Sequence, residues 1–306
     1  MLEINTASTS SSLSSTASAS TFLQLELTLA EHILSSDHRI LAELNRIKNL
    51  SDEELPEPPA ISTVPSMYNN ISDKQKLHNI QKYIESFEYN YTGKPFLQMK
   101  KSRGSSHIQL CAKQIINAAL PIQCVEAVFL GTFLSSTLKS VDRIPLSFKS
   151  KFKDGVHRHI VLAVRLHEEG NKWGCLGISR RKNLMYKSVK YDNLSGLIKD
   201  FEKSYEEVFH KLLTVYIGLP LPHDVFSDQP IKWRANKVKI YKNDPSVVTD
   251  MIESFVQNME KMNDHFKRDG VLPTSNEIMK KKEGFPVALT NRRSFNSISS
   301  EESNNR

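Results

Sequence analysis

The stretch VHRHIVLAVRLHEEGNKWGCLGIS, residues 156–179, decides the fold. Its two halves alternate in polarity and are rich in β-branched residues, which is typical of β-strands. The polar turn EEGN between them is centred near position 169.5, so the halves are predicted to pair as an antiparallel hairpin. In a symmetric hairpin the paired residue numbers add to about 339, which places His159 opposite Ser179 or Arg180.

Helical patterns lie on both sides of this hairpin, where apolar residues recur every three or four positions. The spacing predicts helices over 73–87, 108–119, 121–138 (opened by Pro121), 195–214 and from Pro245 to about 269, and extended segments at 144–148, 156–166, 173–179 and 237–241. We therefore predict an α+β catalytic domain over residues 73–269, with N-terminal helices followed by a small antiparallel sheet flanked by helices.

The two ends of the chain differ in composition from this domain. Residues 1–20 are rich in Ser and Thr, and residues 270–306 are basic and rich in Ser, so we predict that both are disordered. Between the N-terminal segment 1–20 and the domain, residues 21–72 combine an amphipathic helix at 31–50 with an acidic, Pro-rich linker at 51–66. The helix has little nearby to bury its apolar face, so it is a candidate to bind a partner.

The composition excludes several classes of protein. An apolar content of 39% is enough for a hydrophobic core, and no apolar run approaches the roughly 20 residues of a membrane span. Three cysteines, unevenly spaced, predict neither a disulfide framework nor a metal site, and we expect no cofactor. A reduced, cytoplasmic protein is the simplest interpretation, and secretion by an unconventional route is left open.

Positive charge is concentrated in the middle of the chain. Residues 90–190 hold 18 Lys and Arg against five Asp and Glu, whereas the rest of the chain has a net charge of −6. This indicates a polyanionic partner, either a nucleic acid or an acidic polypeptide. The basic segments carry no RNP, KH or zinc pattern, but charge alone does not separate the two, nor does it distinguish an enzyme from a binding scaffold.

Cys124 and His159 are the candidate nucleophile and base. Cys124 lies near the start of a predicted helix, where unpaired N–H groups and the helix dipole stabilise a thiolate. His159 begins an apolar strand, and a group opposite it could orient the imidazole. The alternative is that Cys124 is a buried apolar residue and His159 has no role. We assign Cys111 and Cys175 to packing, and His107 and His157 to the surface.

Several separated motifs, in this order, resemble the vasohibin family: YNYTG at 89–93, KKSR at 100–103, LPIQCVEAV at 120–128, PLSFK at 145–149, RHIVLAV at 158–164 and GISRR…LMYK from 177 to 187. The resemblance runs from about Asp73 to Trp233 and extends more weakly through the last helix. It implies a transglutaminase-like cysteine peptidase that removes the C-terminal tyrosine of α-tubulin, acts on microtubules in the cytoplasm, and works with the small vasohibin-binding protein, a helical partner.

The resemblance also implies roles for individual residues. Cys124 would be the nucleophile and His159 the base, with the backbone carbonyl of Ser179 orienting the imidazole. The acidic tail and its terminal carboxylate would be bound by Tyr89, Lys101, Arg103, Lys149, Arg158 and Arg180. The sequence departs from the family pattern in two places: Gln123 stands where lysine is expected before the nucleophile, and the pair Lys182-Asn183 stands where an acidic pair is expected.

Overall fold

The computed structural model describes residues 70–168, 170–227 and 229–273, together with isolated residues between 42 and 65. The predicted disordered segment 1–20, most of the predicted partner-binding segment 21–72 and residues 274–306 lie outside this part of the chain. The chain divides into two units, residues 1–260 and 261–306, and the candidate site lies in the first.

Five α-helices and a six-stranded sheet make up the described fold. The helices are α1 (Asp73–Ser86), α2 (Ser105–Ala118), α3 (Cys124–Leu134), α4 (Leu194–Glu207) and α5 (Pro245–Asp269). The strands are β1 (Val141–Phe152), β2 (Gly155–Leu166), β3 (Lys172–Leu176), β4 (Lys187–Tyr191), β5 (Lys211–Ile217) and β6 (Asn236–Lys239). This order of helices, antiparallel sheet and helices confirms the predicted α+β class.

The sheet has the order β4-β3-β2-β1-β5-β6, and every neighbouring pair is antiparallel. The two longest strands, β1 and β2, pair along their full length at its centre. β3 pairs with only the last part of β2, between Leu162 and Leu166. The first half of β2 therefore has a free edge on that side, and its outward N–H groups are available to other partners.

The position predicted for Ser179 needs correction. The hairpin register pairs Leu162 with Leu176, close to the predicted alignment, but β3 ends at Leu176. The chain then leaves the sheet, so Ser179 is not a cross-strand neighbour of His159. The departure is fixed by Gln81, a buried side chain whose amide exchanges two hydrogen bonds with the backbone of Gly177, at 2.9 and 3.0 Å.

Each face of the sheet packs against helices. On one face, α1, α2 and α3 form a continuous apolar core with alternate residues of β2. Helix α3 lies very close to the sheet, because a Cβ added at Gly131 would be only 3.3 Å from a methyl group of Leu162. On the other face, α4 packs against β1, where the rings of Phe148 and Phe201 are 4.6 Å apart.

Helix α3 begins three residues later than the sequence predicts. Pro121 is not in its first turn, because the preceding residues are extended: Ile122 forms a parallel bridge with Tyr89 and hydrogen bonds with the backbone on either side of it. Gln123 is the N-cap, and Cys124 is the first helical residue. This shift places the cysteine directly at the positive end of the helix dipole.

The predicted helix 195–214 is correct only to residue 207. Phe209 has a left-handed φ of 62°, which ends the helix, and the next residues form β5. The segment KLLTVYI continues the apolar spacing of α4, which explains why its first residues are predicted as helix. It forms a strand because it pairs with β1, and such tertiary contacts override weak local propensity.

Candidate functional site

Cys124 lies where the start of α3 meets the free edge of β2. The Gln123 N–H donates to the Glu126 carboxylate over 2.7 Å, which fixes the first turn of the helix. The backbone N–H groups of Ile160, Val125 and Cys124 itself face the sulfur and favour its thiolate form. The sulfur thus lies among oriented donors from both a helix and a strand.

The resting thiol is nonetheless protonated. Burial raises the pKa of Cys124, and the nearby backbone N–H groups and the Lys101 ammonium only partly oppose this. Burial also lowers the pKa of His159 to about 4, against a hydrogen bond that raises it. Both groups are therefore neutral at pH 7, which predicts a thiol–imidazole pair rather than an ion pair before substrate binds.

The imidazole of His159 is held by a backbone carbonyl, but not that of Ser179. Its Nε2 is 2.7 Å from the Leu184 oxygen, in the short 3₁₀ turn Lys182–Leu184. The neutral ring donates the Nε2 proton there, which leaves Nδ1 as its basic nitrogen. Phe148 stacks on the ring at 6.3 Å between centroids.

Ser179 has a different local role. Its hydroxyl accepts a hydrogen bond from the Arg181 N–H over 3.3 Å, shaping the turn that follows β3. Among the residues that the structure describes, no hydrogen bond joins Ser179 to His159. Leu184 thus supplies the contact that was predicted for Ser179.

A cavity of about 230 Å³ opens onto Cys124 and His159. Its walls come from the loop before α2, the start of α3, strands β1, β2 and β5, and the segment before β6. The lining residues are Lys101, Cys124, Val125, Ser147, Phe148, Lys149, Arg158, His159, Ile160, Tyr216 and Arg234. Three of the predicted cations, Lys101, Lys149 and Arg158, therefore lie around the candidate nucleophile.

Tyr89 and Arg180 form a second group beside the cysteine. The guanidinium carbon of Arg180 is 5.7 Å from the centre of the Tyr89 ring. Burial raises the pKa of Tyr89, an ionised Cys124 sulfur would raise it further, and Arg180 lowers it, so the three side chains lie close together. The bridge between Tyr89 and Ile122 ties this tyrosine to the start of α3.

Lys101 and Arg103 are neighbours in sequence but differ in position. Trp233 donates its indole N–H to the Lys101 carbonyl over 2.7 Å, and the Lys101 ammonium lies 5.5 Å from the centre of the Trp233 ring. Burial lowers the pKa of Lys101. Arg103 is exposed and does not line the cavity. Burial lowers the pKa of His107 and raises that of Cys111, and the Arg103 charge adds to the first shift and opposes the second.

The other cysteines are buried, as predicted. Cys111 is 1% exposed and Cys175 is fully buried, where burial raises the pKa of its thiol to about 12. His107 is not a free surface residue: its Nε2 lies 3.4 Å from the sulfur of Cys111 on the same helix. His157 is exposed, as predicted.

Three contributors to the site are not predicted from the sequence: the Leu184 carbonyl, Tyr216 and Arg234. No sequence signal identifies which backbone carbonyl meets a histidine. Arg234 belongs to the basic run KWRANKVK, outside the segment whose charge stood out, and Tyr216 lay beyond a segment predicted to be helical. The pairing of β5 with β1 brings Tyr216 to the cavity, and the pairing of β6 with β5 places Arg234 beside it.

The described part of the chain contains neither a membrane-spanning helix nor a metal site. None of its helices is long and apolar enough to cross a membrane. It also contains no group of three or more His, Cys, Asp or Glu side chains placed to hold a metal ion.

Comparison with known proteins identifies relatives. Residues 28–260 match the family model described as Vasohibin. The chain is 39% identical over 189 residues to mouse (Mus musculus) tubulinyl-Tyr carboxypeptidase 1, an alignment that covers 62% of this chain and 49% of the relative. The chain thus matches about half the length of this curated relative.

Proposed function

The chain belongs to the vasohibin family, and from this we propose that it is a transglutaminase-like cysteine carboxypeptidase that removes the C-terminal tyrosine of α-tubulin. The observation that carries the proposal is the single cationic cavity that contains both Cys124 and His159. A relative 39% identical over the aligned region bears the name tubulinyl-Tyr carboxypeptidase 1, which supports the same reaction.

In the proposed mechanism, Cys124 is the nucleophile and His159 the general base. His159 Nδ1 takes the thiol proton as the sulfur attacks the last peptide carbonyl, while the Leu184 carbonyl keeps the ring oriented. The backbone N–H groups of Cys124 and Val125 stabilise the oxyanion. The imidazolium then protonates the departing tyrosine amine, and water, deprotonated by His159, hydrolyses the thioester.

The neutral resting pair is consistent with this sequence of steps. A thiol whose pKa is raised by burial is less often ionised before substrate arrives, and so is protected from oxidation. A base whose pKa is lowered to about 4 is unprotonated at pH 7 and ready to accept the proton. The cost is a weaker driving force for proton transfer, which the backbone donors around the sulfur offset.

The substrate spans the cysteine. On one side, Arg180 binds the terminal carboxylate and Tyr89 contacts the leaving tyrosine; Arg can grip a carboxylate with two hydrogen bonds. On the other side, the cavity cations bind the glutamates before the cut, and Arg234 is the newly identified member of this set. Gln123 leaves one cation fewer next to the nucleophile, and Arg103 acts only at longer range.

Ser179 keeps a supporting role in the proposal. It shapes the turn that carries Arg180 and precedes Leu184, so it positions both the carboxylate-binding group and the carbonyl that holds His159. We therefore treat it as a positioning residue.

The predicted helix at 31–50 and helix α1 would bind a small helical partner protein, the small vasohibin-binding protein, through apolar anchors. The enzyme would act in the cytoplasm on microtubules, since α-tubulin is its proposed substrate.

A catalytically silent microtubule-binding scaffold and a nucleic-acid-binding module are the rivals. The cavity argues against both, because neither requires a cysteine beside a carbonyl-held histidine.

The test uses the full chain co-expressed with the small helical partner. The complex is incubated with α-tubulin and with a peptide ending Glu-Glu-Tyr, and tyrosine release is followed by mass spectrometry. Release by the wild type and not by Cys124→Ala supports the proposal. If the folded complex binds tubulin without releasing tyrosine, the scaffold is the better description; salt-sensitive binding to RNA alone would support the nucleic-acid rival.

A further inference from the structure

The sheet face that borders Cys124 continues beyond the cavity as a set of aligned residues. Residues paired across neighbouring strands point to the same face, so the register defines rows across β2, β1, β5 and β6. The first row is Ile160, Ser147, Tyr216 and Lys237; the second is Arg158, Lys149, Thr214 and Lys239; the third is Val156, Lys151 and Lys211. The three rows contain six Lys and Arg side chains, and all of them except Lys149 are exposed.

These cations have no acidic counterparts. The three rows contain no Asp or Glu, and among the described residues none of the six lies within 4.0 Å of a carboxylate. Two lysines on β3 and β4, at the opposite end of the sheet, have carboxylate partners: Lys187 pairs with Asp200 at 2.7 Å, and Lys172 pairs with Asp192. Unpaired cations on one face of a rigid sheet form a surface for a polyanion.

The rows are continuous with the cavity. Tyr216 lines the cavity, and the Arg234 guanidinium carbon lies 4.8 Å from the centre of its ring. The Lys237 ammonium lies 6.0 Å from the same ring. A chain that leaves Cys124 past Arg234 therefore reaches Lys237 and then Lys239.

The distance from the cysteine sets which substrate residues arrive there. Ile160, beside the sulfur, is on β2, and three strand spacings of about 4.8 Å separate β2 from β6, so the span is roughly 14 Å. An extended peptide advances about 3.3 Å per residue, so about four residues cover it. Carboxylates nearer the cut would meet the cavity cations instead.

We propose that Lys237 and Lys239, supported by Lys211, form an upstream subsite that binds carboxylates about four or more residues before the scissile bond. The subsite makes the enzyme selective for long, strongly acidic tails over short ones. This inference rests on the proposed carboxypeptidase function and names a specificity determinant for it.

A nucleic acid fits this surface less well than an acidic peptide. Proteins that bind single strands place free aromatic faces between their cations. Tyr216 is the aromatic residue of these rows, and two cations already lie against its ring.

The experiment compares two peptides of equal length that both end Glu-Glu-Tyr. One has six glutamates upstream of this ending, and the other has six glutamines. The selectivity is the ratio of their kcat/KM values with the full chain and its helical partner at low ionic strength. The test variant is Lys237→Gln/Lys239→Gln, and the matched control is Lys190→Gln/Lys203→Gln, which removes two exposed lysines elsewhere.

We expect the wild type to prefer the acidic peptide. In the test variant the ratio of kcat/KM values should fall roughly three- to tenfold, mostly because KM for the acidic peptide rises, which is the size of effect expected for the loss of two exposed ion contacts. The loss should shrink at high salt, and the control should keep the preference. An unchanged ratio in the test variant, with tyrosine still released, overturns the subsite and leaves the proposed function intact. No release from either peptide by the wild type contradicts the function itself, and RNA binding lost in the test variant alone reassigns the surface to nucleic acid.

Discussion

Two cysteine–histidine pairs in this molecule have the same chemical groups and different surroundings. Cys111 and His107 lie one turn apart on α2, with the sulfur 3.4 Å from the ring nitrogen. Cys124 and His159 come from a helix and a strand and share a cavity. The first pair is in direct contact, but its cysteine is buried in the core and its histidine is half-buried. The second has access, oriented N–H donors and a carbonyl that fixes the ring. Proximity alone therefore does not make a nucleophile.

Paired cysteine substitutions should separate the two sites most strongly. Cys124→Ala removes the proposed nucleophile and should lower kcat for tyrosine release on the order of a million-fold, below detection. Cys111→Ala removes a buried sulfur and should leave kcat within about twofold, at a cost of roughly 1 kcal/mol in the free energy of unfolding. Mass spectrometry of the released tyrosine measures the first effect, and thermal unfolding the second. Residual activity in a folded Cys124→Ala protein would move the chemistry to another residue.

The histidines give the next largest difference. His159→Asn removes the base and should lower kcat by roughly a hundred- to ten-thousandfold. His107→Asn has no path to the reacting atoms, so it should change kcat less than threefold. Steady-state kinetics on the peptide ending Glu-Glu-Tyr measures both. Equal losses in the two variants would show that His159 acts only through stability, like a core residue.

This comparison also shows what the sequence can and cannot predict. The position of Cys124 at a helix start and of His159 on a strand follows from local pattern, because helix capping and strand alternation are short-range signals. The partner of His159 does not follow, since it depends on β3 ending at Leu176 and on the turn that brings the Leu184 carbonyl back. The register predicted for the hairpin is close to the observed one, but the prediction extends it to Ser179, beyond the end of β3 at Leu176.

Long-range contacts also limit how much of the fold can be predicted from local sequence pattern. The periods of the sequence predict the hairpin and the helices around it, but the first residues of β5 are predicted as the end of a helix because their apolar spacing suits both structures. Its place beside β1 is a long-range pairing, stabilised by contacts that a local window does not contain. Tyr216 reaches the cavity through that pairing, and Arg234 through the further pairing of β6 with β5, so neither is predicted from local pattern.

The pH dependence of alkylation can test the resting state of the pair. Because burial raises the pKa of Cys124 above its usual value of 9.0, its thiolate fraction should grow about tenfold per pH unit between pH 6 and 8. His159, with a pKa lowered to about 4, stays neutral throughout and adds no step in this range. The rate of reaction with iodoacetamide should rise without a plateau, and Cys111 should stay unmodified. A flat, fast rate from pH 6 upward would instead indicate a preformed thiolate–imidazolium pair.

A subtler difference lies in how the two helices begin. Helix α2, which carries Cys111, has Gly104 as its N-cap and no side-chain hydrogen bond there, whereas Glu126 holds the first turn of α3 through the Gln123 N–H. Glu126→Ala should lower the free energy of unfolding by roughly 1–2 kcal/mol and slow alkylation of Cys124 by about two- to fivefold, because the donors around the sulfur lose their alignment. Ser72→Ala is the matched control: it removes the hydrogen bond from the Gln75 N–H at the start of α1, so it should destabilise the protein without changing that rate. If both variants slow alkylation equally, Glu126 contributes only stability, and the placement of the sulfur depends on the sheet edge rather than on the helix.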